Sequence, residues 1–257
     1  MTKHLNILEF IGFEQHNTLV SIANLKGELG FTQELDEIFH DAKHGFTVDR
    51  DNELQFVVSM LFLQAHNEFY LGMSQFFKAH LGKSFFSLRM AIDAAFYCCY
   101  VIKHPKNAKE LLDENSLLQK QIFWRIKDHI SKNPKDYPAA QSLVKIHEIA
   151  SSFSHPSVHS IMYKYMHNPA DVNKKEEVQL NYFDGLDHRD FMSYYFILLK
   201  GFFMVFQIFY KEFFKKQFKI INPERDKRII EFENKINFKG KQYPLSKSSR
   251  AKNVAGE

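Results

Sequence analysis

The chain is 257 residues long, 45% apolar and 15% aromatic, with 27 Phe; that is ample for a large core and excludes wholesale disorder. Ten Gly and seven Pro leave few turns, which favours long helices joined by short links. The net charge of +4 is unevenly spread: residues 211–252 carry 13 Lys/Arg against 5 Asp/Glu, and the rest of the chain is mildly acidic. No charged stretch followed by a short apolar run opens the chain, so no secretory leader is expected.

In chain order, two short helical pieces are expected near Leu5 to Glu14 and Thr18 to Glu28. Thr32 can cap a helix running to about Lys43, with Glu34, Asp36 and Glu37 in its early turns. On that helix Asp36, His40 and His44 share one face at four-residue spacing. Two histidines so spaced can grip a metal, but no third and fourth ligand is evident and the His-Glu-x-x-His form is absent. The face is therefore read as exposed and polar, with no metal ligand and no cofactor assigned.

A strong amphipathic pattern follows from Asp51 to Lys83, with Asp51 or Asn52 as cap and Gly82 as the turn. The helix after it, Ser84 to His104, is apolar on almost every side, the pattern of a helix buried all round. Pro105 ends it. Cys98 and Cys99 are adjacent within it, point to different faces and read as small core residues of a reducing, cytoplasmic compartment. The two helices are expected to pack as antiparallel neighbours.

A helix from about Asn107 to Lys132 carries Leu117, Leu118, Ile122, Ile126 and Ile130 on its apolar stripe. Pro138 suits the first turn of the next, about Ala139 to Phe153. Between Ile161 and Phe183 the period changes to two, so a small β-hairpin excursion is expected at about 160–183. A long helix from His188 to Lys216 closes the bundle. Its stretch Phe191 to Tyr210 has the length of a membrane span, but Lys200 near its centre would be costly in lipid, so a core helix and no membrane partner are expected. The fold expected is an all-α bundle over 1–220, followed by a basic, partly flexible tail over 221–257 with a short helix near Glu224 to Asn234. That tail invites an anionic partner such as nucleic acid.

Gly-rich phosphate loops, paired-Cys zinc motifs and the Gly-x-Ser-x-Gly elbow are absent, which argues against P-loop enzymes, dehydrogenases and serine hydrolases. What remains is Arg89 and Asp93, one turn apart on the apolar helix, and the turn Ser154-His155-Pro156-Ser157-Val158-His159. A charge in apolar surroundings is costly unless paired or used. Arginine offers a planar fork suited to phosphate, and histidine exchanges a proton near neutral pH. Arg89 would hold phosphoryl oxygens, His155 or His159 would act as base toward a ribose 2′-hydroxyl, and Ser154 and Ser157 would donate hydrogen bonds to the substrate. The alternative reading makes Arg89 and Asp93 a structural pair and His155 a turn residue.

The run SFFSLRMAIDAAFYCCYVIKHPKNAKEL and the later IHEIASSFSHPSVHSIMYKY resemble bacterial helical proteins of the HEPN-like superfamily. The resemblance spans about 55–200 and maps Arg89 and Asp93, and Ser154, His155, Ser157 and His159, onto the two short motifs. It implies an all-α, often dimeric protein, and in the ribonuclease branch metal-independent RNA cleavage in toxin or antiphage settings. Those ribonucleases carry Arg and His on one helix with four to six residues between them; Arg89 has no such His, and Arg125 and His129 have three residues between them, one short. A non-catalytic helical module that dimerises or binds a protein partner is the second expectation.

Overall fold

Two long antiparallel helices make the centre of the molecule: α3 (Glu53–Phe77) and α4 (Leu81–Lys103). The structure, a computed structural model, describes residues 6–44, 47–49, 51–109, 125–154, 186–219 and 222–244, and every regular element among them is a helix, so the fold is all-α. Asn52 caps α3 by accepting the Gln55 amide. The reversal does not wait for Gly82. The amides of Lys78, Ala79 and His80 turn back to the carbonyls of Ser74, Phe76 and Gln75, so α3 is closed by its own last turn. Ala79 takes the left-handed conformation there (φ 64°), and Gly82 falls in the first turn of α4.

Before this hairpin, α1 (Ile7–Leu25) is one helix, not two pieces. Asn6 and Glu9 form a reciprocal capping box at its start. A 3₁₀ turn, Lys26–Glu28, leads into α2 (Leu29–Lys43). Thr32, expected as the cap of α2, lies inside it, and its hydroxyl meets the Tyr195 hydroxyl at 2.8 Å. Tyr195 in turn donates to the Glu28 carbonyl, which ties the α1–α2 corner to the core.

After α4, Pro105 opens a short 3₁₀ turn, as its ring requires. Then come α5 (Ile126–Lys132), a 3₁₀ turn begun by Pro138, and α6 (Gln141–Ser154). The rest of the expected helix over 107–132 falls largely on 110–124, and the expected hairpin at 160–183 falls within 155–185; both lie outside the described residues. The last long helix is α7 (His188–Ile208), continued by a π-helical stretch, Phe209–Lys215. Both α4 and the α7 segment are long and apolar enough to cross a membrane, yet 67% and 72% of their most apolar windows are buried against the other helices.

The core is largely phenylalanine. Phe39, Phe62, Phe69, Phe202, Phe206 and Phe209 pack at 5.1–5.7 Å between centroids, edge-to-face in the Phe39–Phe206, Phe62–Phe209 and Phe69–Phe202 pairs. Close helix approach is secured by two glycines. A Cβ at Gly72 would lie 2.7 Å from the Phe202 ring, and one at Gly201 would lie 2.8 Å from Leu88. Cys98 and Cys99 are free and buried, and burial pushes both thiols up, Cys99 to about 12; they are packing residues, as expected.

The basic C-terminal stretch is not a detached tail throughout. Residues Pro223–Gly240 form α8, longer than the expected short helix, capped by Asn222 and docked through Ile229, Phe232 and Ile236. Its cations face the acidic side of α2: Arg228 pairs with Glu37 and Asp41, Lys235 with Glu34 at 2.9 Å, and Lys239 with Glu28 at 3.6 Å. Three of the 13 cations expected to invite a polyanion are therefore matched by acidic groups on α2 and in the turn before it. Residues 245–257 lie outside the described set.

Candidate functional site

Arg89 and Asp93 both fall on α4, as their spacing demands, with Arg89 Nε 3.9 Å from Asp93 Oδ2. Their side chains keep 21% and 23% of their accessible surface. The pair therefore sits at the edge of the apolar helix, not sealed within it. Asp93 also reaches across to α6, where its Oδ1 lies 3.0 Å from His147 Nε2. His147 Nδ1 lies 3.3 Å from Ser151 Oγ, one turn further along α6. One tautomer satisfies both contacts: Nε2–H donates to the carboxylate, and Nδ1 accepts from the serine hydroxyl.

The fold holds this chain of groups in place. His147 is buried, and its ring leans on Phe96 of α4 at 5.8 Å. Two turns further on, Phe153 stacks on Phe85 at 4.5 Å, so α6 is clamped to α4 on both sides of Ser151. Burial and the negative charge of Asp93 together push the neighbouring Tyr97 phenol well up, which keeps it protonated.

Of the residues singled out in the sequence, Arg89 and Asp93 are together. Ser154 is the last residue of α6, three positions past Ser151, with its side chain outside the described set. His155, Ser157 and His159 lie outside the described residues. The imidazole that meets Asp93 is His147, and the hydroxyl that meets His147 is Ser151; the sequence reading passed over both. Their signal was present in IHEIASSFS as a His and a Ser at i, i+4 on an amphipathic helix. Arg125 and His129 are both exposed, and the His129 ring meets the Tyr137 hydroxyl at 3.3 Å and the rings of Tyr100 and His104 at 5.8 and 6.4 Å.

A second polar cluster joins α2 to α3. Asp36 Oδ1 lies 2.9 Å from His66 Nε2 and accepts the Tyr70 hydroxyl at 2.6 Å, while His40 Nε2 lies 3.0 Å from that hydroxyl. His44, grouped with Asp36 and His40 from spacing, caps the end of α2 and stays exposed. Comparison of the chain with protein-family models, with curated proteins and with solved structures returns no match, so both clusters are read from their own geometry.

Proposed function

We propose that this all-α protein binds RNA or a nucleotide at the seam of α4 and α6 and acts there as a metal-independent ribonuclease of the HEPN-like kind. The observation that carries the reading is the Asp93–His147 contact of 3.0 Å, one helical turn from a partly exposed Arg89. A guanidinium matches the planar geometry of phosphoryl oxygens. Asp93 holds the imidazole in the tautomer whose Nδ1 can take a proton by way of Ser151. In the step proposed, the ribose 2′-oxygen attacks phosphorus and its proton passes through the Ser151 hydroxyl to His147. The bond to the 5′-oxygen breaks, that oxygen takes a proton from water, and the products are a 2′,3′-cyclic phosphate and a 5′-hydroxyl. Arg89 faces the charge that grows on the non-bridging oxygens. The resemblance to HEPN-like proteins supports RNA as the substrate class and a bacterial toxin or antiphage role in the cytoplasm.

The test is purified protein with mixed RNA in the presence of a chelator. Cleavage to cyclic-phosphate ends is expected, with loss of cleavage in Arg89→Ala and His147→Gln while both variants stay folded. Absence of both binding and cleavage in the wild type, or cleavage untouched by Arg89→Ala, would remove the reading.

One observation favours a second reading, a dimerising interaction module. α1 buries only Ser21 and Leu25, while Ile7, Leu8 and Leu19 on it are 69%, 76% and 69% exposed. Met60, Leu63 and Leu71 add exposed apolar surface on α3. A second copy of the chain covering this face would form a homodimer; stable interfaces bury on the order of 1,200–2,000 Å² in total. Light scattering decides: a dimer dissociated by Leu8→Glu with Leu19→Glu supports the reading, and a monomer at all concentrations ends it.

A further inference from the structure

The α2–α3 cluster is built from two facing pairs. Asp36 and His40 stand one turn apart on α2, and His66 and Tyr70 stand one turn apart on α3. The ligand atoms of Asp36, His40 and His66 all lie within 4.8 Å of one another. The separations resolved at the cluster run from 2.6 Å (Asp36 to Tyr70) to 3.6 Å (Asp36 to His40). Donors about 2.0–2.1 Å from a tetrahedral zinc ion stand about 3.3 Å apart; Asp36 stands 2.9 Å from His66 and 3.6 Å from His40, close to that spacing, and His40 and His66 lie within 4.8 Å of each other.

The ligands differ in freedom in a useful way. His66 is 2% exposed and stacks flat on Phe39, with ring centroids 4.6 Å apart, so its Nε2 is aimed before any ion arrives. Asp36 accepts from Tyr70 at 2.6 Å and lies 2.9 Å from His66 Nε2, so its carboxylate is already held between the two α3 side chains. His40, 47% exposed at the side chain, closes the site from the solvent side. Lys43 acts electrostatically on Asp36 and His66, so an ion binds here against one nearby positive charge.

We propose that Asp36, His40 and His66 form a binding site for a divalent transition metal of the zinc class, with the Tyr70 hydroxyl beside the open fourth position. Two imidazoles and one carboxylate suit zinc or its borderline neighbours; calcium and magnesium require more oxygen donors than the cluster holds. The site would staple α2 to α3 across the 44–52 connection. It is separate from the α4–α6 groups, and its test does not depend on them.

The full-length protein, stripped with chelator and dialysed, is titrated with Co²⁺ and then Zn²⁺. One equivalent of Co²⁺ with visible d–d absorption, bleached by one equivalent of Zn²⁺, is expected. His40→Ala changes a half-exposed residue and should fold as wild type by circular dichroism, yet bind at least tenfold more weakly. Asp36→Asn should do the same. Absence of stoichiometric binding in the wild type, or equal affinity in folded His40→Ala, would overturn the proposal and leave the cluster as a hydrogen-bonded clasp only.

Discussion

Asp93 and His147, 54 positions apart in sequence, meet at 3.0 Å, and the imidazole is held between that carboxylate and Ser151. Replacing His147 by Phe keeps the packing against Phe96 but leaves Asp93 without this partner. A loss of roughly 1–3 kcal/mol is expected, the penalty for a desolvated polar group deprived of its bond. Chemical denaturation measures it. Nitrogen-15 shifts of the His147 ring should report the Nε2–H tautomer in the wild type and a change in Asp93→Asn.

Glu68 gives a pH-dependent prediction. Burial raises its pKa above 4.5, only partly opposed by the hydrogen bond from Ser87. The folded state then holds this proton more tightly than the unfolded chain, so stability falls as pH rises from about 4.5 through the folded value. Glu68→Gln should therefore raise the denaturation midpoint at pH 7 and leave it nearly unchanged at pH 4. Equal effects at both values would show that the charge is not the cause.

Gly201 lets α7 lie against α4. Gly201→Val forces its new side chain against the fully buried Leu88, which has no free space to enter. Overpacking of this kind typically costs about 1–3 kcal/mol. Thermal unfolding should show the loss, and Gly12→Val, where nothing lies within 4 Å of a new Cβ, should show far less.

The docking of α8 on α2 predicts a charge-swap rescue. Arg228→Glu places a third negative charge beside Glu37 and Asp41 and should lower stability by about 1 kcal/mol. Glu37→Arg in the same chain should recover part of it, and the coupling should shrink at high salt. Additive effects of the two changes would mean that the Arg228–Glu37 pair does not help to hold α8.

The paired cysteines should be inert. With both thiols buried and pushed up in pKa, neither should react with a disulfide reagent until the chain unfolds. Rapid modification of one thiol in native protein would show that α4 opens locally.

What the sequence determined by itself is the set of helices and the core they build. Apolar periodicity located α3, α4 and α7, Pro105 marked the end of α4 and Pro138 the approach to α6, and the long apolar runs read as core because Phe-rich faces must be covered. Local chain closure was less legible: the reversal sits at Ala79 because backbone hydrogen bonds complete the end of α3 there, and composition points instead to Gly82. The sites were decided by tertiary structure alone. Spacing placed Arg89 beside Asp93 and His40 beside Asp36 because an i, i+4 relation lies within one helix. It could not bring His147 to the first pair or His66 to the second. Those contacts depend on how α4 meets α6 and α2 meets α3, which is set by packing of side chains far apart along the chain. The same physics turned the basic C-terminal stretch toward the protein's own acidic helix, where Glu34, Glu37 and Asp41 stand on one face, with Glu28 in the turn just before it.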